Sequence, residues 1–113
     1  MSSFGINLIT LQPRQRGRIH RHGHQEEVYL VLEGTLTLLV ERDESVLERG
    51  ELVRVAPDLR RQLVNGGPER LVVLAVGGSG EHAGRDGEAF ESWDDERGAP
   101  PQEVPLPEDL PET

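Results

Sequence analysis

The side chains with the most chemistry to offer lie together, in the segment His20-Arg21-His22-Gly23-His24-Gln25-Glu26-Glu27. Three of the four histidines fall within five positions. On an extended strand, residues 20, 22 and 24 project to one face. Two imidazoles two positions apart on a strand can share one metal ion, and a carboxylate reached after a short turn supplies a third ligand. Glu27 stands at the start of the next apolar run, where such a carboxylate is needed. Two imidazole nitrogens and one carboxylate oxygen on one side of an ion make a set that suits iron. Glu26 and His24 are candidates for a fourth ligand, although His24 equally reads as an exposed residue of the turn between the two ligand strands. Tyr29 shares the strand parity of Glu27, so it is expected on the same face, packed with a satisfied hydroxyl or touching a bound molecule. His82, in a glycine-rich stretch, reads as solvated.

Composition removes several alternatives. The 113 residues contain no cysteine, which excludes disulfide scaffolds, thiolate zinc sites and cysteine nucleophiles. All 12 basic residues are arginine, so Schiff-base and lysine-base chemistry are excluded as well. The net charge of −9 is uneven. Residues 1–80 hold ten acids and ten arginines, whereas residues 81–113 hold eleven acids and two arginines. With no basic face, nucleic-acid binding is not expected. No run approaches the length of a membrane span and no basic-then-apolar leader is visible, so the expectation is a cytoplasmic protein with no membrane partner. No Ser-His-Asp or Cys-His arrangement suggests itself. Gly77-Gly78-Ser79-Gly80 is followed by no helix pattern and reads as a linker, not a phosphate loop.

The elements that must position the histidines read as strands. Ile6, Leu8 and Thr10 alternate with Asn7 and Ile9, Val28 to Leu32 is a run of strand formers, and Thr35 to Val40 resumes after Glu33-Gly34. That pair predicts a hairpin with a tight glycine turn. Val46-Leu47, Leu52 to Val55, Gln62 to Val64 and Leu71 to Val76 follow, each bounded by turn residues such as Asn65-Gly66-Gly67-Pro68. Some seven short strands without a helical period predict a sandwich or small barrel. Beyond residue 77 the composition shifts, and five of the eight prolines follow. The segment from Arg97 to Thr113 has too little apolar content to fold alone. Phe90 and Trp93 interrupt the polar stretch beyond residue 77 and are expected to dock the tail onto the folded part.

His20, His22, Glu27 and Gly34 fit the spacing G-x5-H-x-H-x4-E-x6-G, with Arg14 in place of the leading glycine. Gly50 and Asn65 fit the spacing G-x5-P-x-G-x2-H-x3-N, with Ala56, Asp58 and Arg61 in place of its proline, second glycine and histidine. In these motifs the sequence resembles the cupin superfamily, and specifically its small single-domain members, over about residues 4–78. The resemblance implies an all-β fold, a single cupin (double-stranded β-helix or jelly-roll) barrel open at one end. Residues 1–93 would form that barrel, and residues 94–113 a proline-rich, acidic, extended tail, packed on it or disordered. It also implies a barrel-interior site for a divalent metal (iron, manganese, nickel or zinc) held by His20, His22 and Glu27. Enzymes of this kind include metal-dependent isomerases and dioxygenases, so the fold does not fix the function.

Arg61 stands where the resemblance places a fourth metal ligand. A guanidinium stays protonated and cannot ligate a cation. Two arrangements follow. In one, His20, His22 and Glu27 hold a metal facially, while Tyr29, Arg61 and Arg18 contact a small, anionic molecule. In the other, Arg61 pairs with Glu27 and the barrel is a metal-free ligand-binding or vestigial module. Arg14, Arg16 and Arg18 alternate before the histidines, either as one solvated face of an edge strand or, for Arg16 and Arg18, as anion contacts with Arg61. Val28, Leu30 and Leu32 have the parity opposite to the interior set yet are apolar. The N-terminal strand, the tail or a second subunit must cover them, and a homodimer is expected.

Overall fold

The computed structural model describes residues 4–23, 25–78 and 87–111. Nine strands follow in chain order: β1 (Phe4–Leu11), β2 (Ile19–His22), β3 (Glu26–Glu33), β4 (Leu36–Val40), β5 (Asp43–Leu47), β6 (Leu52–Val55), β7 (Arg61–Val64), β8 (Leu71–Gly78) and β9 (Gly87–Phe90). They form two antiparallel sheets, ordered β1-β8-β3-β6 and β5-β4-β7-β2-β9. A 3-10 turn, Pro101–Glu103, is the helical element among the described residues, and no described helix is long and apolar enough to cross a membrane.

Side-chain alternation turns every second residue of each sheet inward. In the first sheet the strand registers stack these residues in rows. Leu11 faces Leu71, the next row is Ile9-Val73-Val31, then Asn7-Ala75-Tyr29-Val53, and finally Gly5-Gly77-Glu27-Val55. In the second sheet Leu36 faces Leu47, Leu38 faces Leu63, Val40 faces Arg61, and Arg61 faces His20. The apolar rows of the two sheets meet in one core, with Leu36, Val31, Leu71 and Val73 fully enclosed. Each such side chain stabilises the fold by about 1.5–3 kcal/mol relative to exposure.

The Glu33-Gly34 turn is not a hairpin. It carries the chain from β3 in one sheet to β4 in the other, and the two strands do not pair. Gly34 has φ +80, and a Cβ there would lie 2.4 Å from the Arg70 carbonyl oxygen, so both conformation and space require glycine. The hairpin lies one strand later, between β4 and β5. Its two turn residues, Glu41 and Arg42, both take left-handed φ (48° and 74°), as a two-residue turn of the right twist demands. Tertiary contacts hold these unfavoured residues in place. The Glu41 carboxylate accepts the Arg60 backbone N–H at 2.6 Å, and Arg42 pairs with Asp94.

The second motif is explained by the same geometry. Asp58, at the position of the motif's second glycine, has φ 73, a conformation Asp tolerates better than most residues. Its N–H donates to the His22 carbonyl at 2.7 Å and so ties the loop to β2. Asn65 is fully buried. Its Nδ2 donates to the carbonyls of Leu11 and Glu69 at 3.0 and 2.9 Å, and its Oδ1 accepts from Gly67 at 3.1 Å.

The segment from Arg14 to Arg18 is not one solvated strand face. Arg14 sits in a turn with φ 71, and Arg16 makes a single bridge to Val64. The side chains of Arg16 and Arg18 bind the tail, donating to the carbonyls of Glu108 (2.9 Å) and Val104 (2.6 Å), while Leu110 N–H donates to the Arg14 carbonyl. The tail therefore packs along the outside of the second sheet. Phe90 does more than dock, since β9 pairs with β2 and Arg60 stacks over the Phe90 ring at 3.8 Å. Trp93 lies half-buried between sheet and tail, beside Arg16, Leu39 and Leu110. The outer face of the first sheet is uncovered by any described residue. Ile6, Leu8 and Leu52 are each about 60% exposed there.

Candidate metal centre

Strand β2 carries His20 and His22 on its inner face, β3 carries Glu27 and Tyr29, and β7 carries Arg61 directly opposite His20. These elements converge on one atom. Glu27 Oε1 lies 3.3 Å from His22 Nε2, 3.6 Å from His20 Nε2 and 3.7 Å from Arg61 Nε, and it accepts the Tyr29 hydroxyl at 2.5 Å. One ligand atom from each of His20, His22 and Glu27 lies within 4.8 Å of the others. The two imidazoles stand edge to face, with centroids 5.4 Å apart. His20 Nδ1 is 3.2 Å from the Arg18 carbonyl. A proton on Nδ1 donated there leaves the Nε2 lone pair facing the site, the usual outer support of a ligating histidine. All three side chains are partly open to solvent.

The electrostatics favour an anionic Glu27. Burial pushes its carboxyl up, but His20, His22 and the Tyr29 hydroxyl outweigh burial and hold it well below the usual carboxylate range. Tyr29 is pushed far above its ordinary range, first by burial and then by the charge of Glu27, with Arg61 opposing. It therefore stays a neutral donor. Arg61 is fully buried. Its Nη1 donates to the Leu59 carbonyl at 2.6 Å, while Nε and Nη2 have no hydrogen-bond partner among the described residues. A buried guanidinium with two orphaned donors is costly, and the nearby carboxylate compensates its charge.

The expected residues thus divide. His20, His22, Glu27, Tyr29 and Arg61 come together. Glu26 does not, because it has the opposite strand parity and pairs with Arg54 on the outer surface. Arg18 does not, because its guanidinium is committed to the tail. Arg61 comes to the site but is enclosed beside Glu27, leaving no surface for a ligand. His24 and His82 lie outside the described residues. Two polar neighbours were not singled out from the sequence: Gln25, which is buried, and Asn7, on the inner face of β1. Their parity with Glu27 and Ile9 was the available signal.

The cupin domain model matches residues 7–77. The chain belongs to the cupin family. Among solved structures, this cupin is similar to a protein assigned as a sugar phosphate isomerase from Acidithiobacillus ferrooxidans, at 32% identity over 68% of this chain and 51% of that one, with a TM-score of 0.61. It is similar at 32% identity to a sugar phosphate isomerase of the cupin superfamily from Silicibacter pomeroyi, over 70% of this chain and 52% of that one, TM-score 0.63. The chain spans about half the length of these two relatives. A double-stranded β-helix protein from Klebsiella pneumoniae shares the fold over 81% of this chain and 78% of that one, with TM-score 0.72 at 18% identity. Comparison with curated proteins finds no match.

Proposed function

We propose that this cupin holds a divalent metal ion through Nε2 of His20, Nε2 of His22 and the carboxylate of Glu27, and offers it to a small oxygen-bearing molecule in the barrel mouth. The observation that carries the reading is the convergence of three suitable ligand atoms within 4.8 Å, around a carboxylate held ionised. The donor set, two nitrogens and one oxygen, fits iron, manganese, nickel or zinc. Bound there, such an ion would supply Lewis-acid polarisation of a carbonyl or hydroxyl oxygen. The chain's own residues prepare the place. Tyr29 fixes one oxygen of Glu27 by donating to it, the Arg18 carbonyl orients His20, and Arg61 lies 3.7 Å from the same carboxylate oxygen and compensates its charge. The likeness to two sugar phosphate isomerases supports an isomerase acting on a small hydroxy-carbonyl compound over a dioxygenase.

Metal analysis of protein purified without chelator tests this. Stoichiometric iron, manganese, nickel or zinc is the expected result. No bound metal, even after reconstitution, would replace it with the second reading, a metal-free module in which Arg61 and Glu27 form the interior pair. The 3.7 Å separation of Arg61 Nε from Glu27 Oε1 favours that alternative. In either case we propose a homodimer through the outer face of the first sheet, where Ile6, Leu8 and Leu52 are exposed. Light scattering at micromolar concentration should give the dimer mass, and Leu8→Glu with Leu52→Glu should give the monomer.

A further inference from the structure

The surroundings of Glu27 are not symmetrical. Toward the second sheet stand His20, His22 and Arg61. Toward β8 and β1, its neighbours in the same row are Gly77 and Gly5, with Ala75 and Asn7 in the row below. A cavity of about 180 Å³ opens there, lined by Gly5, Ile6, Asn7, Gln25, Glu27, Ala75 and Gly77. Backbone conformation does not explain the two glycines. The described glycines with positive φ are Gly34 and Gly50, and neither Gly5 nor Gly77 is among them. At Gly5, which lines the cavity, a Cβ would meet nothing within 4 Å, so the space there is open. One on Gly77 would stand 3.2 Å from the Gln25 side-chain oxygen and 3.7 Å from Glu27 Cγ. The floor beside the carboxylate is kept clear.

We infer that this cleft seats the uncharged, hydroxyl-bearing part of the ligand whose reactive oxygen meets the metal position, an assignment that rests on the proposed metal site. The carboxamide of Asn7 both donates and accepts, as hydroxyl and carbonyl groups require. Among the described residues the sole charge lining the cleft is Glu27, whose negative charge opposes a carboxylate or phosphate. The volume is below the roughly 300–1,000 Å³ of drug-sized sites, so it takes a unit of a few carbons. Gly5→Val fills the cleft from a strand position with room for it, without touching a metal-binding side chain.

The test titrates Zn²⁺-loaded protein with D-erythrose, a four-carbon hydroxy-aldehyde, and separately with acetate and inorganic phosphate, following backbone amide resonances. Erythrose should shift β1, β8 and Gln25. Gly5→Val should weaken it by about tenfold or more through steric exclusion, and Asn7→Ala by about threefold to tenfold, one hydrogen bond. Zn²⁺ affinity by calorimetry should change less than about twofold in both, because no ligand atom is altered. The inference is overturned if erythrose does not bind wild type, if Gly5→Val binds it equally, or if acetate or phosphate takes the cleft instead. If Zn²⁺ itself fails to bind, the metal reading falls separately. Erythrose shifts in the metal-free protein that Gly5→Val abolishes still uphold the cleft, and their absence overturns it.

Discussion

Along β8 the inner face runs from Leu71 through Val73 and Ala75 to Gly77, while along β1 it runs from Leu11 through Ile9 and Asn7 to Gly5. The second sheet changes in the same direction, from Leu36 and Leu38 to Arg61, His20 and His22. One end of the interior is therefore filled with large apolar side chains, and the other is left open, polar and lined by small residues. The same strands serve both ends, so the difference is made by side chains alone. Burial at the closed end stabilises the fold enough to hold two imidazoles and a carboxylate in place at the open end. Stability and chemistry are then separable by mutation.

The largest effects should show that separation. Leu36→Ala, at a fully enclosed position of the closed end, should cost about 2–5 kcal/mol in denaturant unfolding. The protein that remains folded should bind Mn²⁺ or Zn²⁺ as wild type does. His22→Ala should do the reverse. It removes one of three ligands, so metal affinity should fall by more than about 100-fold, beyond what loss of an outer-shell partner costs. Apo stability should change by less than about 1 kcal/mol, since the ring is partly exposed. Tight metal binding by His22→Ala would end the ligand assignment.

Arg61 lies at the boundary between the two ends, which makes it the next most informative position. Its charge repels a cation, yet it also compensates that of Glu27. Arg61→His removes the fixed charge and places an imidazole opposite His20 on the paired strand. Affinity for Mn²⁺ or Zn²⁺ should rise by about tenfold or more, or about 1.4 kcal/mol. Equal affinities by calorimetry would show that Arg61 neither opposes the metal nor stands in a ligand position.

The open end was legible in the sequence because strand parity fixes direction. Residues 20 and 22, and 27 and 29, must share faces once both segments are extended. The same rule excludes Glu26, whose pairing with Arg54 on the outer surface follows from its parity. What parity does not reveal is which strands pair. Gly34 signals a turn, but a crossover between sheets and a hairpin both need one, and only the long-range pairing of β3 and β4 with other strands distinguishes them. The true hairpin was hidden because Glu41 and Arg42 lack the usual turn residues and are held by Arg60 and Asp94 from far along the chain. Strand β9 has four residues in a polar stretch, too few for alternation to stand out. The role of Arg18 was hidden for the same reason, since its partner is a backbone carbonyl 86 residues away.

The smallest expected effect concerns that contact, and it tests whether the tail belongs to the site or only to the scaffold. Arg18 meets the open end with its carbonyl and the tail with its guanidinium. The carbonyl faces His20 Nδ1, and the guanidinium donates to the Val104 carbonyl. Arg18→Ala removes only the second. A hydrogen bond from a charged donor is worth about 1.5–3 kcal/mol when buried, and partial exposure here brings the expected loss to about 1 kcal/mol. The sole tryptophan, Trp93, lies against the tail and should report its loosening as a change in fluorescence. Trypsin should also cut faster after Arg97 in this variant. Metal affinity should stay within about twofold, because the carbonyl that orients His20 remains. A loss of metal affinity larger than the loss of stability would mean that the tail, acting through Arg18, sets the position of His20.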